Sequence, residues 1–528
     1  MSIFTNIFVK PPKTSRFVLS HDVMLTTDFG KIIPIYLEDV VPGDKFRVTT
    51  EMAIKLLPTL APLSSGIEVR VDYFFVPNRL IWNDWEEFIT GGTDGTSLPV
   101  APVINGHTIT SRQKAIGSLW DYFGLPPVIP EGARGNLQAL ELDSELLDQV
   151  SVLPFRAYDL IWNEYYRDEN LQDELLISKN SGQDNTTPLD LQYRGLKKDY
   201  FTSALPWAQR GPQVDIPLTQ ERIPLRSNAE VGDNIVTDSN GQYYFDQSSA
   251  SSDIDATFGP SGVANINNLG YRDSQSKFHS SEHEHNIDGT ALGGFLEDHM
   301  YADGSDVGSI TINELRRLNA VQRWLEKNAR AGSRYVEQIL SHFGVRTPDY
   351  RLDRPEYLGG NKSVLGFTEV LQTSESGNSP QGNRSGVGFG ASLNRAKRYR
   401  VDEHGWIMGL MSIIPQRNVY ADGIERRWTR QDKFDYYFPS FQYLGEQDIR
   451  QKEVFAYNLR PADDHEFGYT PRYAEYRYHP SGVRGNMRTN MAYWHLGRLF
   501  NTAPHLNWQF ISSKLLISRE DTIVLIKS

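Results

Sequence analysis

The 528-residue sequence predicts a mainly β protein: an antiparallel sandwich with long inter-strand loops, several short helices and one large insertion. Three observations carry that prediction. Lys45–Leu57 alternates strictly, with Phe46, Val48, Thr50, Met52, Ile54 and Leu56 on one face and Arg47, Thr49, Glu51 and Lys55 on the other. Ile67–Val76 repeats the pattern, setting Ile67, Val69, Val71, Tyr73 and Phe75 against Glu68, Arg70 and Asp72. A period of two is the mark of a half-buried strand. Trp406–Ile414 is apolar on both faces, as a strand in a sandwich core would be. An aromatic content of 12% agrees, since rings favour strands and large contact surfaces.

Taken in order, residues 1–16 are basic (Lys10, Lys13, Arg16) and contain Pro11-Pro12, which suggests an extended arm. Pro42-Gly43 fits a type II turn, with Pro fixing φ and Gly supplying a positive φ. Tyr158, Ile161, Trp162 and Tyr165 fall on one helix face. Residues 214–310 are dominated by Ser, Asn, Asp and Gly, too long a stretch for an ordinary loop; scattered aromatics favour a partly ordered insertion. Thr311 and Glu314 have capping-box spacing. They lead into a stripe of Leu315, Leu318, Val321 and Leu325. Gly332 interrupts it, and a second stripe of Tyr335, Val336, Ile339, Leu340 and Phe343 ends at Gly344, a suitable C-cap. Residues 377–390 are Gly/Ser-rich and loop-like, while Tyr473–Tyr478 and Ile523–Ile526 are expected as strands. The chain thus divides into 1–213, the insertion 214–310, and 311–528.

Composition excludes several classes. There is no cysteine, hence no disulfide, thiolate metal site or Cys nucleophile. No signal peptide is expected, and the longest apolar run is too short to span a membrane, so a cytosolic site of synthesis and no membrane insertion are expected. Charge is unevenly spread. The whole net charge of −12 equals that of residues 214–310, because 1–213 carries −8 and 311–528 carries +8. Such asymmetry concerns partners rather than fold.

No catalytic motif stands out. Walker A, G-x-S-x-G and H-E-x-x-H sequences are absent, and Gly386, Gly388 and Gly390 lack the dinucleotide spacing and are expected in a flexible loop. His279, His283 and His285 have ligand types that suit a divalent metal, but they lie in a polar, loop-like stretch. Asp463, Asp464 and Glu466 offer either paired carboxylates for glycoside hydrolysis or turn chemistry beside Pro461. Two stretches interleave guanidinium groups with rings: Arg426, Arg427, Trp428 and Arg430, and Arg472, Tyr473, Tyr476 and Arg477. Arginine neutralises phosphate and rings stack unpaired bases, so these are candidate nucleic-acid-facing residues. The same residue types also dominate subunit interfaces.

An ordered series of stretches resembles one known family. It comprises Leu19-Ser20-His21, Val41-Pro42-Gly43-Asp44, the run Tyr73–Trp82, Leu315-Arg316-Arg317 through Gln322–Glu326, Gly332–Tyr335, His342–Val345, Arg354–Gly360, Phe467–Tyr478 and Trp494-His495-Leu496. Together they resemble the major capsid protein of the Microviridae, in its gokushovirus branch. The resemblance implies an eight-stranded antiparallel viral jelly roll with long inter-strand loops. It implies a homo-oligomeric T=1 shell around circular single-stranded DNA, assembled in the host bacterial cytoplasm and carried in the virion. The implied partners are a small basic DNA-packaging protein, an internal scaffolding protein, a DNA pilot protein and a host surface receptor. Residues 214–310 sit where the family's insertion forms three-fold protrusions, which is the expected seat of receptor binding. No cofactor and no enzymatic activity are expected. The competing reading is a jelly-roll glycoside hydrolase or carbohydrate-binding protein.

Overall fold

The computed structural model describes residues 15–56, 63–133, 138–212, 214, 312–371, 384–395, 398–514 and 524–527, and short strands between 225 and 302. Most of the basic arm therefore lies outside the described residues, as does Thr311 of the expected capping box. The chain divides into two compact units: Met1–Pro212 with Arg323–Ser528, and Gln213–Gln322.

The first unit is built on one antiparallel, curled sheet of eight strands. In chain order they are β1 (Met24–Thr27), β2 (Ile33–Val40), β3 (Thr49–Leu56), β4 (Ile67–Pro77), β5 (Glu356–Leu371), β6 (Arg384–Arg395), β7 (Gly405–Pro415) and, last in the chain, β10 (Val524–Lys527). They lie side by side as β1-β10-β3-β6-β5-β4-β7-β2. A separate hairpin pairs β8 (Glu446–Arg450) with β9 (Glu466–Pro471). The sheet curls because β5 changes partner along its length. Its first part pairs with β4 as far as Leu365, and its second part pairs with β6 from Gly366 onward. A strand that passes from one partner to another makes a corner and lets the two halves face each other.

Burial follows the alternation in β3, where Met52, Ile54 and Leu56 are buried and Glu51, Ala53 and Lys55 are exposed. Those buried side chains join Val69, Val71, Tyr73, Ile407, Met411 and Ile413 in the main core. The half-buried expectation for Ile67–Val76 is corrected. Strand β4 is covered on both sides, and so is β7. Phe74, Val76, Met408 and Leu410 point away from the main core into a second one, roofed by Trp82, Trp120 and α1 (Leu153–Ile161), which carries Phe155, Tyr158 and Ile161. Pro154 sits in the first turn of α1, where the missing amide hydrogen costs nothing. Under this roof, Glu68 is buried and meets Lys197 at 2.6 Å, and Asp72 meets Arg194 at 3.1 Å. A third core gathers Tyr200, Phe201, Tyr420, Ile449, Phe467 and Phe510.

Other expectations can be placed in turn. The turn at Val41–Asp44 closes through an Asp44 N–H to Val41 O bond, with Gly43 at φ +98°. Helices α2 (Ile312–Ala331) and α3 (Tyr335–Phe343) flank Gly332, and Gly344 caps α3 at φ +69°, donating to Leu340 O. Tyr335, Leu340 and Phe343 of the second stripe are nevertheless exposed. Gly388 and Gly390 are not in a loop: they lie in β6, between β5 and β3. A Cβ at Gly388 would collide with Leu56 and Phe367, and one at Gly390 with Leu365, so the glycines admit close strand approach. The expected strand Tyr473–Tyr478 is also corrected. Residues 474–476 form a 3-10 turn, and the strand is β9, ending at Pro471.

The second unit contains antiparallel pairings of 225–227 with 300–302, of 235–237 with 243–245, and of 269–272 with both 255–256 and 278–281.

Candidate functional site

The two basic-aromatic stretches converge on one surface. The β8–β9 hairpin sets their spacing, because Arg426–Arg430 and the segment to Leu444 precede it and Arg472–Arg477 follows it. The hinge is Tyr473, which has φ +61°, a conformation rare for an aromatic residue. Its amide donates to Gln447 Oε1 at 2.8 Å, and its ring packs on Tyr437 (5.1 Å between centroids) and Tyr476 (6.1 Å). Tyr476 is thereby placed under Arg430, whose guanidinium lies 4.3 Å from the ring centre and 5.3 Å from that of Tyr436. Arg472 lies over Phe441 and Tyr473. Arg477 donates to the Arg472 carbonyl at 2.9 Å, and Tyr437 N–H donates to the Tyr476 hydroxyl at 3.1 Å.

Short turns hold the segment between the arginines. The Asp435 carboxylate accepts the amides of Asp432 and Gln431, which hold it below the usual carboxylate range. Tyr436, Tyr437, Phe438 and Tyr443 follow and are exposed. They belong to the surface as much as the arginines do. The run Asp435-Tyr436-Tyr437-Phe438-Pro439-Ser440-Phe441 was their signal in the sequence, since so many rings beside a proline do not fit a buried strand.

The arginines are less available than their spacing suggests. Arg426 is folded inward, 3.5 Å from Asp448 Oδ1 and 3.5 Å from Glu453 Oε1. Burial raises the Glu453 carboxyl above its usual range, against the pull of Arg426. Arg427 pairs with Glu425, and Arg430 faces Glu475 at 3.9 Å. Trp428 stands in solvent. The surface is thus rich in rings, with its first three guanidinium groups each beside a carboxylate. Such a surface can stack and bury apolar area, while three of its five arginines already face a carboxylate.

The other candidates separate. Asp464 Oδ2 is held 2.9 Å from Lys452 Nζ and Oδ1 accepts the Lys452 amide, while Glu466 accepts the Tyr469 hydroxyl. Both carboxylates are tied into local structure, and Asp463 closes the 3-10 turn begun by Pro461. The side chains of His279, His283 and His285 lie outside the described residues. Among the described residues, no group of three His, Asp or Glu side chains is placed to hold a metal ion. No helix among them is long and apolar enough to cross a membrane.

The family model described as capsid protein (F protein) matches residues 10–522. The chain belongs to this phage capsid protein family. Its relatives include the capsid protein VP1 of Chlamydia phage 1, 34% identical over 98% of this chain and 93% of the relative. The VP1 of Bdellovibrio phage phiMH2K is 34% identical, covering 96% and 89%. The VP1 of Spiroplasma virus 4 is 28% identical, covering 94% and 87%. The resemblance to the gokushovirus branch of the Microviridae is thereby borne out. As a member of the phage capsid protein family, the chain is structural rather than enzymatic, works in many copies and resides in the virion.

Proposed function

We propose that the chain self-assembles into a T=1 icosahedral shell that encloses circular single-stranded DNA. The observation that carries this reading is its similarity to VP1 capsid proteins along nearly its whole length, with no large part left for another task. The fold proposed with it is the viral jelly roll. Three nested antiparallel pairs support it: β2 with β7, β3 with β6, and β4 with β5. Pairing first with last, and so on inward, is what a long two-stranded ribbon wound into a sandwich leaves behind.

Residues 214–310 act as the surface protrusion that meets the host receptor. Their concentrated negative charge supports this, since an acidic module is well solvated and is repelled by the genome. On the same argument the mildly basic 311–528 segment supplies the face toward DNA. A net +8 from residues 311–528 of each subunit neutralises little of a genome, so a small basic packaging protein completes the charge balance. An internal scaffolding protein and a DNA pilot protein are the further proposed partners, and assembly takes place in the host bacterial cytoplasm.

Cryo-electron microscopy of particles formed by the expressed protein, with its scaffolding partner, tests the shell. Uniform T=1 particles are expected; a subunit that stays monomeric under those conditions overturns the reading. Deleting residues 228–300 is expected to spare assembly and abolish host attachment, and attachment that survives the deletion overturns the receptor role.

A further inference from the structure

The aromatic surface between Trp428 and Leu444 is larger than a solvent-facing surface needs. Trp428 and Tyr443 expose 78% and 81% of their area, and Phe434, Tyr436, Tyr437 and Phe438 are each about half exposed. At roughly 200 Å² per ring, these six and Tyr476 leave about 800 Å² of aromatic surface in water. The largest apolar patch on an ordinary monomer is about 300–600 Å². A stable protein interface takes about 800 Å² from each partner.

The patch is also built rather than loose. Ring pairs run from Phe434 to Phe441 (5.9 Å) and from Phe438 to Phe441 (6.2 Å), Tyr437 pairs with Tyr473 and Tyr476, and Arg472 lies over both Phe441 and Tyr473. The electrostatics separate two classes of partner. A strand of DNA needs cations that are free to replace counterions. Here Arg426, Arg427 and Arg430 each face a carboxylate of their own chain. What remains outward is an array of Trp, Tyr and Phe with stacked arginine, the composition of energetic centres in protein interfaces.

We propose that this aromatic shelf seats a second copy of the chain and is a subunit–subunit contact of the shell. The inference rests on the shell reading above and adds the surface that makes the contact. It assigns the rings to a neighbouring subunit rather than to the genome.

The absence of cysteine makes a direct test possible. Tyr443→Cys introduces a single thiol that carries a photo-crosslinker, and particles bearing it are irradiated. An adduct of twice the subunit mass, resistant to nuclease, is expected. An adduct that nuclease trims back to one subunit places the shelf against DNA and overturns the proposal, as does no adduct with either. In parallel, a Trp428→Ser, Tyr443→Ser double variant is assembled beside the unaltered protein. Both side chains are exposed, so the variant is expected to keep its circular dichroism and melting temperature while yielding at least tenfold fewer particles. Full yield from the folded variant overturns the contact. If the unaltered protein itself forms no particles, the shell reading fails instead.

Discussion

Arg156 reaches Asp184 through two nitrogens, Nη2 at 2.7 Å and Nε at 2.9 Å from the same Oδ2, with neither side chain in contact with solvent. Arg156 also donates to the carbonyls of Ile81 and Asn180, and Asp184 accepts the hydroxyl of Thr187 and the amides of Thr186 and Thr187. The contacts of Arg156 tie helix α1 to the segments around Ile81, Asn180 and Asp184, while those from Thr186 and Thr187 hold Asp184 within its own loop. Burial alone would raise the Asp184 carboxyl; the hydrogen bonds from Thr187, Thr186 and Arg156 outweigh it and hold the carboxyl below its usual range.

Breaking one side of that pair leaves the other charge buried and alone. Arg156→Met or Asp184→Asn is expected to destabilise the subunit by about 3–5 kcal/mol. Denaturant unfolding of the purified subunit measures it. A change below about 1 kcal/mol would show that water enters and compensates.

Asp159 lies three residues, about one helical turn, beyond Arg156 and has none of its support. It is fully buried, and neither carboxylate oxygen has a hydrogen-bond partner among the described residues. Burial raises its pKa well above the usual value, and Asp190 and Asp184 add to the rise. The folded state therefore holds a proton that the unfolded state releases above about pH 3.9. The stability this contributes is complete below that pH and is lost as pH rises through the folded pKa. Asp159→Asn keeps the shape without the charge, so its stability should decline less with rising pH. Parallel curves for the two proteins from pH 4 to 9 would rule the effect out.

Glu68 behaves in the opposite sense. Burial pushes its carboxyl up, but hydrogen bonds from Lys197 and Arg70 together pull it below the usual range. Its contribution is present above the unfolded pKa of about 4.3 and is lost as pH falls through the folded value. Glu68→Gln should cost about 1.5–3 kcal/mol at pH 7. The gap from the unaltered protein should narrow on acidification, and melting temperatures at pH 7 and pH 3 read it directly.

Gly388 sits where β6 crosses the side chain of Leu56. Gly388→Ala should cost about 1–3 kcal/mol by overpacking. In a Leu56→Ala background the same change should cost much less, because the space it needs is then empty. Equal costs in both backgrounds would place the strain elsewhere, as a double-mutant cycle on unfolding free energies would reveal.

The candidate surface was only half legible in the sequence. The arginines and rings of 426–430 and 472–477 stood out as pairs of stretches, but nothing in their spacing joined them. Their meeting depends on the register of β8 against β9 and on the left-handed Tyr473 between them. That the arginines would turn to Asp448, Glu453 and Glu475 depends on carboxylates that the same hairpin carries in.

By itself, the sequence determined what depends on near neighbours and on ordered motifs. The alternation of β3, the turn at Pro42-Gly43, the helices either side of Gly332 and the cap at Gly344 follow from local sterics and side-chain period. Motif order along the chain carried the capsid family. Tertiary structure alone decided the rest. It turned the charged face of β4 into a buried layer, because a segment more than a hundred residues away supplied Arg194 and Lys197 as partners. It drew the glycines of 386–390 into a strand, because their missing side chains let neighbouring strands approach. In each case the deciding energy is the burial of apolar area and the pairing of charge between segments distant in sequence, which a local pattern cannot encode.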